Sequence, residues 1–505
     1  MESLSDTVWD VVICGTGLQQ SLLALSLSRS GKKILHIDPK EYYGGPDAAL
    51  SLQEAERWQT EQASSSAASS SIFSSARIWQ PSEGAGLSSS RSYSLALSPQ
   101  IIHTSSTLIS QLVSSRAYRQ IEFLAVGSFF IFKPSPDPSS QSPPSLSRIP
   151  STREDVFSTT AIAARAKRSL MKFLKFVLDY NSAPNSEVWQ PRASEPLSAF
   201  LAEHFNLDAE LQAYVLALTL SLDGRITARD GLATIHRHLT SMGVFGPGFA
   251  AIYPKWGGTS EIAQVACRAG AVGGGIYMLG TGIETVAERS GDSDELVEIQ
   301  LTNGTPVKTK LLVRGDEERV ADDAQEISRL VTIVASPLSS LFEVVVEGAP
   351  APAVAVIAFP PGSVTEEDRS VSEYPVYAFA HSSSTGECPS GQSVLYFTTL
   401  ATSTSEAVLQ SALDALLSAL RDGDEAPKCL YQLRYKQSRG LTSVKTDGNM
   451  VQLPAPSLSL AFDDSTLQSV HEAWRVTMGS ASQEPETDYM IFADREPADD
   501  YDDED

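Results

Sequence analysis

Residues 10–45 read DVVICGTGLQQSLLALSLSRSGKKILHIDPKEYYGG. Val11 to Cys14 is an apolar run with the length of a buried strand, and Gly15-Thr16-Gly17 is a tight turn. Leu18 to Ser30 places leucines at 18, 22 and 25 and at 23 and 27, the spacing of a helix. Gly31 stops that helix, and Ile34 to Ile37 supplies a second buried strand. Two short apolar strands joined by a helix make a parallel βαβ unit, whose sheet needs cover on both faces. In a dinucleotide fingerprint the first glycine makes the turn and the second admits a pyrophosphate to the helix N-terminus. The third lets the helix pack closely on the strand. Here those positions are Gly15, Gly17 and Gln20, and Asp38 follows Gly17 by 21 residues, where a ribose-binding acid would stand. Glutamine at the third position is expected to push the helix outward. Gly15, Gly17 and Asp38 therefore read as vestiges of a site without its flavin or nicotinamide.

Outward from this unit the chain runs to 505 residues, too long for one compact core. Residues 60–92 are Ser-rich and 134–150 Pro/Ser-rich, and both read as mobile insertions. From 151 to 222 the composition turns helical (AIAARAKRSLMKFLKFVLDY, LSAFLAEHFNLDAELQAYVLALTLSL). Strand-like segments lie at Phe123–Phe132 before it and at Leu296–Leu301, Leu311–Val313, Leu330–Val334, Val354–Phe359 and Val394–Thr398 after it, with a helix at Glu406–Arg421. The simplest arrangement is a discontinuous sheet domain, 1–150 and 223–480, interrupted by an all-helical domain at 151–222. Residues 481–505 form an acidic tail ending in Asp499, Asp500, Asp502, Asp503, Glu504 and Asp505, expected to be solvated.

The net charge is −24, from Asp+Glu 62 against Lys+Arg 38. That sign argues against nucleic acid and anionic membrane as primary partners and fits a partner with basic patches. Cys14, Cys267, Cys388 and Cys429 have no CxxC spacing and read as reduced thiols of a cytosolic protein. No run of about 18 apolar residues is present. The seven histidines are scattered, and His236 and His238, at i,i+2 on a predicted helix, point to different faces, so a shared metal is not expected. GxSxG, HExxH and Walker sequences are absent, which leaves a cofactor-free binding protein as the leading class.

The stretch KKILHIDPKEYYGG (32–45) after GTGL resembles the opening of the Rab GDP-dissociation inhibitor and Rab escort protein superfamily. A second segment, YPKWGGTSEIAQVACRAGAVGGGIYML (253–279), is similar to that superfamily's YPxYGxGE…Q…R…GGxYxL. The resemblance implies a flavoprotein-like α/β fold without a functional FAD site and no metal. It also implies a Rab-binding platform at Tyr43, Glu261, Gln264, Arg268 and Tyr277. Arginine and glutamate supply directional charge-assisted hydrogen bonds, and tyrosines supply apolar area with a polar tip. The spacing also allows Glu261 and Arg268 to pair internally, two helical turns apart. The loop Gly257-Gly258-Thr259-Ser260 is one residue longer than the family's, and Val265-Ala266 replaces Gly-Phe.

The escort branch also docks on Rab geranylgeranyl transferase, through what resembles a Phe in a DVF turn and an Arg eleven residues later. DVFSTTAIAARAKR from Asp155 places Phe157 and Arg168 at that spacing. The alternative is that Phe157 is a hydrophobic staple at the start of a helix. The segment GECPSGQSVLYF (386–397), the Ser-rich inserts and the acidic tail are also escort-like. The resemblance thus implies a non-enzymatic accessory subunit of the transferase that grips GDP-bound Rab GTPases and shields their geranylgeranyl group in the helical domain. Transient delivery to membranes would follow. The alternatives are a Rab GDP-dissociation inhibitor proper and, from another class, an FAD-dependent oxidoreductase.

Overall fold

The computed structural model describes residues 4–64, 71–81, 86–135, 143–150, 156, 163–287, 296–315, 325–364, 371–421, 425–479 and 489–493. The βαβ unit forms where the sequence places it: strand Val11–Cys14, helix Leu18–Leu27, strand Ile34–Asp38. These strands lie inside a six-stranded sheet. Its order is Ile276–Leu279, Ile34–Asp38, Val11–Cys14, Leu312–Gly315, Met450–Leu453 and Lys445–Asp447. The first five strands are parallel and the last is antiparallel.

Both faces are covered, as a parallel sheet requires. On one side Leu18, Leu22, Leu25, Ile262, Val265 and Trp474 join a core shared by helices Leu18–Leu27, Thr259–Val272 and Ser465–Met478. On the other, Val12, Leu35 and Ile37 pack on Ile299, Leu301 and Val307 of a four-stranded sheet. Every residue of helix Leu18–Leu27 is buried.

The second layer is a ten-stranded, largely antiparallel sheet with one parallel pair, Val354–Phe359 beside Phe123–Lys133. Alternation along one strand shows how it is sandwiched. Val354, Val356 and Ala358 enter the core shared with the helical segment, whereas Ala355, Ile357 and Phe359 face helix Ser405–Ala419. Helices Ala164–Leu178, Leu197–Phe205, Ala209–Thr219 and Ala228–Ser241 pack together around Phe173, Phe200, Leu201 and Leu232. The last of these helices lies beyond residue 222 and packs closely on Leu197 through Gly231, where a Cβ would meet Leu197 Cδ2 at 2.6 Å.

Three expectations need correction. The segment 60–92 contains strand Phe73–Trp79, an edge of the large sheet whose Phe73 and Ala76 are buried. Within 134–150, Ser145–Arg148 pairs with Phe123–Lys133. The region after 480 is not all solvated either: Met490 and Phe492 are buried, and Arg29 lies 4.7 Å from the Phe492 ring centroid. In each case a few apolar residues bury themselves within a polar surrounding. The acidic run 499–505 lies outside the described residues.

Candidate functional site

The glycine turn is filled by the protein's own side chains. Gln20 does not displace its helix; its amide folds back over the turn. A Cβ on Gly15 would meet Gln20 Nε2 at 3.0 Å, one on Gly17 would meet Oε1 at 2.9 Å, and one on Gly315 would overlap Nε2. At the helix N-terminus, where a phosphate would accept from backbone N–H groups, Leu18 N–H donates to Asp47 Oδ2 at 3.3 Å. Asp47 is buried, and that burial raises its carboxyl to about 6, with the Leu18 N–H and the nearby Arg329 guanidinium opposing the rise. A polar amide and an internal carboxylate thus hold the space and the dipole that a pyrophosphate would use, and the residues present do not fit a dinucleotide.

Asp38 is similarly engaged. It accepts from Thr16 N–H and Thr16 Oγ1, both at 2.7 Å, and from Lys40 N–H at 2.7 Å. Thr16 in turn accepts from Gly44 N–H, at 3.1 Å on its Oγ1. The acid that would hold a ribose ties the glycine turn to the turn carrying Tyr43. Gly44 is needed there: its φ is +105°, and a Cβ would lie 2.7 Å from Ala48 Cα.

The second motif packs onto this turn. Ser260 Oγ lies 3.1 Å from the position of a Gly44 Cβ, and Gly257 abuts Ala49. Helix Thr259–Val272 then presents Glu261, Gln264 and Arg268 at i, i+3 and i+7 on its outer face. Glu261 is 13% exposed and Arg268 58%, and Arg268 Nη2 donates to Glu261 Oε1 at 3.3 Å. Burial raises the Glu261 carboxyl, and Arg268 opposes the rise. The extra loop residue leaves Glu261 in the first helical turn, so the two motif residues meet each other.

Tyr277 lies on the edge strand beside His36, with ring centroids 4.8 Å apart. Its hydroxyl reaches over Gly270, where any Cβ would collide with it, toward the Cys267 thiol. Tyr43 is half-buried; burial and Cys267 raise its phenol, and Arg268 opposes that. Tyr43, Glu261, Gln264, Arg268 and Tyr277 thus share one surface above the parallel sheet's edge.

Of the two expected transferase-docking residues, Phe157 lies outside the described residues. Arg168 is exposed on helix Ala164–Leu178, in a stripe with Arg165, Lys172 and Lys175. That helix carries no acid, in a chain of net charge −24. The 3-4-3 spacing of the stripe was open to sequence reading. Asp47 and Arg329 were not, since each acquires its meaning from partners far away in sequence. Among the described residues no cluster of three or more metal-ligating side chains occurs, and no helix is long and apolar enough to cross a membrane. His236 and His238 point to different neighbours: the His236 ring lies tilted against Tyr180, and His238 is buried against His103 and Phe129.

Comparison with known proteins places this geometry. Over 419 residues the chain is 31% identical to the Rab proteins geranylgeranyltransferase component A of Saccharomyces cerevisiae, covering 81% of this chain and 65% of that protein. It is 29% identical to the protein of the same name from Candida albicans, covering 82% and 63%. The chain therefore spans just under two thirds of the length of these two relatives. Among solved structures, a RAB GDI from Plasmodium falciparum superposes with a TM-score of 0.63 at 18% identity, over 92% of this chain and 97% of that one. An oxidoreductase from Methanosarcina mazei superposes with a TM-score of 0.57 at 11% identity, over 92% and 99%. Both structural likenesses are ones of fold, the flavoprotein-like architecture. The sequence pattern of one family, GDP dissociation inhibitor, matches residues 5–358, a span containing both motifs of the shared surface. With its nucleotide cradle closed from within and its two motifs joined over that cradle, the chain belongs to the GDP dissociation inhibitor (GDI) family.

Proposed function

We propose that this chain is an escort factor for Rab GTPases. It grips the GDP-bound GTPase on the surface formed by Tyr43, Glu261, Gln264, Arg268 and Tyr277. It then presents the GTPase tail to Rab geranylgeranyl transferase and shields the lipid afterward. It works in the cytosol, makes transient visits to membranes, and has no cofactor, metal or bond-making step of its own. The observation that carries the reading is the reuse of the dinucleotide unit: Asp38 and Asp47 hold the Tyr43 turn where a nucleotide would otherwise bind. The relatives' name, component A of the geranylgeranyltransferase, favours the escort over a plain inhibitor.

Docking of the transferase is assigned to Phe157 and Arg168, the latter within the cationic stripe. A cavity of about 260 Å3 between helix Ala209–Thr219 and the end of strand Val354–Phe359 is a candidate berth for part of the lipid. It is lined by Ala213, Leu216, Ala217, Phe359, Pro360 and Tyr377. Each CH2 buried there is worth about 0.8 kcal/mol, so the more of a C20 chain the protein holds, the better it competes with the membrane for it.

Prenylation of a Rab by purified transferase, with and without this chain, tests the reading. Lipid transfer is expected only when the chain is present, and Phe157→Ala is expected to abolish retention of the transferase. Extraction of already prenylated Rab without any support of transfer would select the inhibitor reading instead. Purified protein carrying a flavin spectrum would select the oxidoreductase.

A further inference from the structure

Trp256 is 51% exposed, and the fold goes to some length to hold it there. It has φ +72° and is followed by Gly257 at +117° and Gly258 at +67°. Glycine adopts this left-handed region freely, but a tryptophan does so only when its surroundings impose it. Those surroundings are specific. Trp256 N–H donates to Thr385 O at 2.8 Å, and Trp256 O accepts from Ser94 Oγ at 3.0 Å. The six-membered ring of the indole lies on Gly386, where any Cβ would collide with it. The next residue, Glu387, is fully buried. It accepts from Tyr253 Oη at 2.7 Å and Tyr396 Oη at 2.9 Å, and its Oε2 pairs with His381 Nδ1 at 2.7 Å. Ser94 joins the two, since its N–H donates to Glu387 O at 3.2 Å. On the solvent side, Lys255 Nζ stands 5.1 Å from the indole centroid and pairs with Glu122.

A rigid, half-exposed indole on a strained turn adds little to the core. It has the form of an interface anchor: large apolar area, few rotamers, and a position fixed before the partner arrives. It also begins the turn leading into helix Thr259–Val272, which carries Glu261, Gln264 and Arg268. Resting on the GTPase-binding reading above, we propose that Trp256 is an aromatic anchor of that surface. It packs against apolar side chains on the folded globule of the GTPase, and Glu387 is the positioning residue that keeps the Thr385–Gly386 support beneath it.

The test is titration of a Rab loaded with fluorescent GDP against wild type, Trp256→Ala, Trp256→Phe, Arg268→Ala, Glu387→Gln and the Trp256→Ala/Glu387→Gln pair. Trp256→Ala is expected to weaken binding about 30-fold, the size of an interface hot spot, and Trp256→Phe to fall between it and wild type. The change in tryptophan emission on binding is expected to vanish in Trp256→Phe. Glu387→Gln is expected to weaken binding in the wild-type background and to add nothing to Trp256→Ala. Trp256→Ala binding within about twofold of wild type while Arg268→Ala is impaired would overturn the anchor and leave the GTPase reading intact. Wild type that binds no GDP-loaded Rab would overturn both. Equal losses from Glu387→Gln in the two backgrounds would overturn its positioning role.

Discussion

Replacing Glu387 by alanine removes one acceptor group from three buried donors at once. Tyr253 Oη, Tyr396 Oη and the His381 ring all point at its carboxylate, and all four residues are buried. Each buried donor left without a partner costs about 1–3 kcal/mol. Three such donors bring the gross cost to about 3–9 kcal/mol, and relief of the carboxylate's own desolvation offsets part of it. Glu387→Ala is therefore expected to destabilise the chain by about 4–6 kcal/mol. Glu387→Gln keeps one acceptor oxygen, and a phenol can turn to accept from the new amide, so its expected cost is about 1–2 kcal/mol. Urea denaturation followed by both tryptophan emission and far-ultraviolet dichroism measures the two variants. The energies have meaning only where the two transitions coincide, since a chain with several cores can unfold in stages. An alanine variant within about 1 kcal/mol of wild type would refute the reasoning, because the hydroxyls and imidazole would then have found water or other partners.

Three further expectations rest on single sites. Gly44→Ala places a Cβ 2.7 Å from Ala48 Cα at φ +105°; it is expected to cost about 2–4 kcal/mol and to weaken GTPase binding by moving Tyr43, and an unchanged urea midpoint would count against it. His238, in a site faced by His103, Phe129 and the nearby Arg237, has its imidazole lowered by burial from 6.5 to about 4. The unfolded chain therefore takes up a proton that the folded chain refuses. Through His238 stability is lost as pH falls from 6.5 toward 4, by about 2 kcal/mol at pH 5, and His238→Leu should remove that contribution while leaving those of the buried His36 and His103. Gln20→Gly restores the third glycine of the fingerprint. It is expected to destabilise the helix by about 1–2 kcal/mol without conferring a flavin spectrum, because Asp47 still occupies the helix N-terminus. Flavin uptake by this variant would show that the carboxylate is no barrier.

The βαβ unit was legible because its signals are local: apolar runs of strand length, leucines at helical spacing, and glycines at the turn. Strands Val354–Phe359 and Ser393–Leu400 were visible for the same reason, as dense β-branched and aromatic runs. Cys429–Ser438 was missed because Gln432, Arg434, Lys436 and Gln437 interrupt its apolar residues, although Gln432 and Gln437 are buried in the sheet. The site divides in the same way. Tyr43, Glu261, Gln264, Arg268 and Tyr277 could be taken from two contiguous motifs. The direction of Gln20 could not, because bulk at a helix crossing says nothing about whether a side chain displaces the helix or folds into a vacant turn. Asp47, Arg329 and Glu387 are ordinary polar letters in sequence, and only tertiary contacts show that they are buried.

The filled glycine turn has a consequence for how this chain is maintained in a cell. A protein whose native state needs a bound dinucleotide gains stability in proportion to the logarithm of ligand concentration over its dissociation constant. Its folded fraction then rises and falls with the supply of that ligand. Here the Gln20 amide and the Asp47 carboxylate are covalently attached, at a concentration that never varies. Newly made chains can therefore complete this turn with groups they already carry, without waiting for a small molecule to fill it.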